Sequence, residues 1–266
     1  MELTIPSYKE LFKLTNRRLL RLKQRAIKKS GTLDDCDQLM FLIVGNINLR
    51  LNTICLLIEN NNLDGVFALQ RTIFELQLAF KAYMNSEDKN KFVELYSKKQ
   101  NFETVIKWDK LIVASNSSEA SIFTEEDGNT IGDWKSTITQ SLKQSTKGRI
   151  TSTWYELAAN KSTKDLSYEF MSEIDYFTSY DEPSNWVHPQ RLEQNMDIDF
   201  NQRLEKHNIY LLLRMLTSDV AWLVDDINRI REHLKIERSA KLKEYFEKMI
   251  LFNDQLKSIY SEMLDE

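Results

Sequence analysis

The stretch LLRMLTSDVAWLVDDINRI, residues 212–230, decides the fold. Its apolar residues Leu212, Met215, Val220, Leu223, Ile227 and Ile230 recur every three to five positions. That spacing lines one face of an α-helix and is not the alternation of a strand. The periodicity predicts a helix over residues 200–234, and a second of the same kind follows over 237–264. Composition agrees. Six glycines and three prolines in 266 residues are too few turn residues for an all-β or doubly wound fold. With 42% hydrophobic residues, the chain has the material for a sizeable core.

Toward the N-terminus the same pattern predicts a helix from Ser7 to near Gly31 and another from Asp34 or Asp35 to Asn60-Asn61-Asn62. A third covers residues 63–85, and a fourth follows Ser86 and carries Phe92, Leu95, Tyr96, Phe102 and Leu111. Between 115 and 151 Ser, Thr, Asn and Gly replace the apolar rhythm, so this segment reads as a polar, partly irregular surface insertion with one weak helix near 131–144. A helix over 164–180 then meets Pro183 and Pro189, which bracket Ser184-Asn185-Trp186-Val187-His188 as a forced interruption. The expected fold is a single all-α domain over 1–266, a multi-helix bundle.

Several function classes are disfavoured. A formal net charge of −4 gives no whole-protein attraction to nucleic acid, so any such binding needs a local patch. Cys36 and Cys55 are predicted on one helix with no CxxC spacing, which suits a reducing compartment, and three scattered histidines supply no zinc cluster. Neither a metal nor a cofactor is expected. The N-terminus has no signal-peptide pattern. The apolar run Leu39 to Val44 stops at Gly45-Asn46, short of the ~20 residues a membrane span needs. The sequence therefore reads as a cytoplasmic protein with no membrane partner.

Two features carry candidate chemistry. Between Gly65 and Phe80 the only charges are Arg71 and Glu75, four apart and so on one side of an otherwise apolar helix. Burial requires that they pair, either as a packing device or as part of a pocket. His188 sits at the proline-bracketed break, where an imidazole can act as general acid or base or can simply bond the backbone. Ser184 is placed to cap a short helix or to contribute to a polar pocket. Asp197-x-Asp199 and Asp225-Asp226 are carboxylate pairs too unspecific to define a metal site. The basic run Arg17, Arg18, Arg21, Lys23, Arg25, Lys28 and Lys29 reads first as a solvated face.

With Arg71-x-x-x-Glu75, Trp154-Tyr155-Glu156-Leu157-Ala158, the helix bearing Tyr168, Tyr176 and Tyr180, and Ser184-x-x-Val187-His188-Pro189, the chain resembles the bacterial domain-of-unknown-function family 5677 over residues 63–189. The resemblance implies a helical fold and no settled activity. The histidine after a helix is in turn similar to the HEPN bundles, many of them metal-independent ribonucleases of toxin-antitoxin and phage-defence systems with an Arg-x4-6-His motif at a dimer interface. Here Arg191 follows His188, so the resemblance needs Arg71 to supply the cation. It implies His188, Arg71 and Glu75 as catalytic residues, Ser184, Tyr180 and Trp186 as substrate contacts, RNA as substrate and a homodimer as assembly. The competing expectation is a non-enzymatic module that binds a protein or small ligand, with the same residues as a structural polar network.

Overall fold

The structure, a computed structural model, describes residues 3–60, 62–63, 65–117, 122–186 and 206–265, of which the side chains of Trp186, Leu264 and Asp265 are excepted. Helix is the only regular secondary structure among the described residues. The chain divides into two compact units, one formed by Met1–Met84 and Thr163–Glu266, the other by Asn85–Ser162.

In the first unit, α1 (Lys9–Ser30) ends at Gly31, whose φ of 84° takes the left-handed conformation that glycine adopts without strain. Helix α2 (Asp35–Glu59) is capped by Asp34, whose carboxylate accepts the Asp37 N–H at 2.7 Å. Cys36 and Cys55 both lie on it as free thiols. Helix α3 covers Val66–Asn85. Next come α7 (Thr163–Phe170), α8 (Glu173–Tyr176) and α9 (Glu182–Trp186), then α10 (Lys206–His233) and α11 (Ala240–Asp265). Helix α10 packs on α11 and α2, and α1 packs on α2 and α11. Met40, Ile47, Leu51, Ile54, Leu212, Leu223 and Met249 are fully enclosed, and each such side chain contributes roughly 1.5–3 kcal/mol by leaving water.

A polar knot pins α1 to α2. Asn48 is wholly buried, accepts from the Tyr8 hydroxyl at 2.9 Å, and donates to Phe12 O at 3.3 Å and Asn16 Oδ1 at 3.0 Å. All of its hydrogen-bonding groups are thereby used, which is the condition for burying an amide without loss.

The second unit consists of α4 (Lys89–Asn116), α5 (Glu125–Thr146) and α6 (Trp154–Ala159), with α4 packed on both others. The polar segment 115–151 is more regular than its composition implied. Instead of a weak helix near 131–144 it holds the 22-residue α5, started by a capping box in which Thr124 and Asp127 satisfy each other's backbone. The acidic Glu125-Glu126-Asp127 cluster sits in its first turn, where carboxylates favour the helix dipole. Thr153 and Glu156 form the same box for α6.

Two further expectations are corrected. The helix foreseen over 164–180 is broken at Met171-Ser172, where Ser172 caps α8. Nor does Pro183 interrupt the chain, because helical backbone runs through it in α9. The adjustment is made one turn earlier. Residues Phe177–Asp181 form a widened π-turn in which Glu182 N–H bonds to Phe177 O. A proline clashes with the carbonyl four residues before it, here that of Ser179, and widening the turn relieves this while the chain stays helical.

A candidate site on helix α3

Arg71 and Glu75 pair as their spacing requires, with Arg71 Nε donating to Glu75 Oε1 at 3.3 Å. Their side chains are 33% and 31% exposed, so the helix that carries them is less enclosed on this side than its apolar sequence implied. A second partner comes from across the fold. Arg71 Nη2 lies 3.3 Å from the Tyr180 hydroxyl, and the guanidinium carbon sits 4.8 Å from the centre of the Tyr180 ring. Burial disfavours the arginine's charge, but Tyr180 and Glu75 more than offset it, and the Arg71 pKa lies above its ordinary value.

The π-turn supplies Tyr180, and aromatic packing fixes it. Its ring stacks on Tyr176 at 5.4 Å and meets Phe74 of α3 at 5.9 Å. Ser184, one turn on, donates its hydroxyl to the Tyr180 carbonyl. Arg71, Glu75, Tyr180 and Ser184 are thus brought together. Ser184's hydroxyl is engaged by the backbone of its own helix. Trp186 ends α9, and its side chain, like His188, Asp197 and Asp199, lies outside the described residues.

A second polar row, which sequence reasoning missed, runs along another side of α3. Gln70 and Gln77 are wholly buried and seven residues apart, and they face Asp219 and Asp226 of α10, equally buried and also seven apart. Phe74 and Trp222, with ring centres 6.4 Å apart, lie between these two rungs, so α3 and α10 run parallel in matched register. Burial drives the Asp219 carboxyl well above its usual range. Gln70 opposes that shift, yet neither side chain reaches hydrogen-bond geometry with any described residue. Burial likewise lifts Asp226 to about 7, against the pull of Lys81 and Gln77. Asp225, by contrast, points outward and pairs with Arg229 at 3.0 Å, so the adjacent carboxylates do not act together. The signal was in the decisive stretch itself, where Asp219 and Asp226 share the face of its buried apolar residues.

Near Asp219, Asp175 of α8 lies 4.0 Å from Arg214. Among the described residues no group of three or more His, Cys, Asp or Glu converges as a metal site.

The fold and site define an all-α protein whose described chemistry centres on an arginine held between a carboxylate and a tyrosine. The chain belongs to the family of unknown function DUF5677, whose profile matches residues 37–204. That span includes Arg71, Glu75, Tyr180 and Ser184, whereas Asp219 and Asp226 fall beyond it. No curated protein and no solved structure matches the chain.

Proposed function

We propose that Arg71, Glu75, Tyr180 and His188 belong to a metal-independent endoribonuclease site of phage-defence or toxin type, in a HEPN-like bundle. One observation carries this reading. Arg71 is braced on two sides, its side chain is one-third exposed, and Nη1 has no partner among the described residues. A guanidinium fixed in this way can meet a phosphate oxygen without reorganising. In the reaction His188 takes the proton of a 2′-hydroxyl, the 2′-oxygen attacks phosphorus, and the P–O5′ bond breaks to leave a 2′,3′-cyclic phosphate and a 5′-oxygen that takes a proton from water and departs as a 5′-hydroxyl. Arg71 stabilises the charge on the phosphoryl oxygens, while Glu75 and Tyr180 position Arg71. A widened helical turn next to the site supports the reading, since such turns cluster at functional positions. The test is cleavage of a labelled RNA pool in EDTA by wild type and His188→Ala.

A second reading, a non-enzymatic binding module, is favoured by the charges around the cluster. Residues 163–186 contain Asp165, Glu169, Glu173, Asp175, Asp181 and Glu182 against Lys164 alone, a field that repels phosphate. In that case Arg71→Ala lowers stability and no RNA is cut. Folded but inactive Arg71→Ala protein supports the enzyme.

A further inference from the structure

The basic run of α1 and an apolar surface beside it remain outside this account. On α2, Leu42, Leu49 and Leu56 are 53%, 50% and 39% exposed and fall seven residues apart, so they form one stripe along the helix. On α1, Leu20 and Ile27 are 53% and 37% exposed, also seven apart. The two stripes lie on the solvent sides of two helices that pack on each other. In each helix the stripe lies away from the buried positions, and Asn16, one turn from Leu20, reaches across to Asn48.

The rim of this face is cationic. Arg17 and Lys23 neighbour Leu20 at helical spacing, and Lys23 also lies one turn before Ile27. None of Arg17, Arg21, Lys23, Arg25 and Lys28 closes an ion pair among the described residues, although Arg17 lies near enough to Glu10 to help lower its pKa. Between Leu42 and Leu56 the one charge on α2 is Arg50, which folds back to Asn46 of its own helix at 2.9 Å, while the acids of this helix lie at its ends, Asp35 seven residues before Leu42 and Glu59 one turn after Leu56. Helix α2 is long and apolar enough to cross a bilayer by length and composition, but half of that window is buried in the fold. Its outer face is therefore suited to lying on a membrane and not to spanning one.

We propose that the α1/α2 face binds the surface of an anionic lipid bilayer, with Leu20, Ile27, Leu42, Leu49 and Leu56 entering the acyl boundary and the α1 cations meeting the headgroups. Exposed aliphatic side chains beside basic residues are the pairing that interfacial binding uses. RNA would engage the cations but leave the leucines in water. A second copy would cover the leucines but bring a like-charged rim to its own.

The test is co-sedimentation of the full chain with vesicles of phosphatidylcholine alone, or of phosphatidylcholine and phosphatidylglycerol at two to one. The expected result is binding to the mixed vesicles that is at least about tenfold tighter than to phosphatidylcholine and weakens with salt. Leu42→Gln with Leu49→Gln, and separately Arg17→Glu with Lys23→Glu, should each weaken it by about tenfold or more. These side chains are largely solvated, and unchanged helicity and melting would establish that the variants fold. Leu111→Gln, an exposed leucine of the other unit, should bind as wild type does. Absence of binding to the mixed vesicles overturns the proposal, as does equal binding to both compositions or an unaffected leucine variant. A lipid-free dimer that the leucine variant splits would assign the face to a second copy instead. A gel shift with RNA lost only in the charge variant would assign it to nucleic acid.

Discussion

Two polar rows on α3 differ in kind. Arg71 and Glu75 form an ion pair, are one-third exposed, and are braced by each other and, for Arg71, by Tyr180. Gln70 and Gln77 are neutral, wholly enclosed, and face carboxyls that burial pushes toward the protonated form. The cost of desolvation explains the contrast. A charge stays on a helix only where water or an opposite charge reaches it, whereas an acid forced inside keeps its proton and becomes a neutral donor that an amide can face. The exposed row can therefore meet a ligand, and the enclosed row holds α3 against α10.

The largest effect expected from this contrast is on activity. If the Arg71 row is functional, Arg71→Ala should cut RNA cleavage by about 10²–10³-fold, the usual loss for one oxyanion donor, with the melting transition kept cooperative and lowered by no more than a few degrees. Collapse of the melting transition instead would make both rows structural and erase the distinction.

Next comes the pH dependence of the enclosed row. Asp226 has a folded pKa of about 7, above its unfolded value near ~4. The unfolded chain therefore releases that proton first as pH rises, and the stability present at low pH is lost between those two values. Asp219, shifted in the same direction, adds to the loss as pH rises. Thermal melts from acid to neutral pH should show the decline, and Asp226→Asn should make it shallower. A stability that rises over this range in wild type would mean that both acids are ionised and paired in the fold.

Smaller still is Tyr180→Phe, which removes the 3.3 Å contact with Arg71 but keeps the ring against Phe74 and Tyr176. A cost of about 0.5–1.5 kcal/mol in urea unfolding is expected, together with a several-fold fall in cleavage. Ser184→Ala should change least, under about 1 kcal/mol and without loss of activity, because its hydroxyl serves the Tyr180 carbonyl. A severe activity loss there would make Ser184 a substrate contact and enlarge the exposed row.

How much of this could be read from the sequence follows from the same physics. Apolar spacing announced α1 to α4, α10 and α11, since burying one stripe requires it. The pairing of Arg71 with Glu75 was legible from i,i+4 spacing alone. Tyr180 as the second partner was not, because residues 109 apart in the chain meet only through the fold. Gln70 and Asp219 were hidden for a different reason: polar residues within an apolar rhythm look like solvent positions until burial is known. The π-turn escaped notice because Pro183 signals a break in any local reading, and widening the preceding turn is a tertiary solution.

The most direct measurement is cleavage of a mixed RNA pool by wild type, Arg71→Ala and His188→Ala in EDTA, with product ends identified. The account predicts 2′,3′-cyclic phosphate ends from wild type and none from either variant, both folded. Equal cleavage by His188→Ala and wild type, or no cleavage by wild type with Arg71→Ala unfolded, would contradict it.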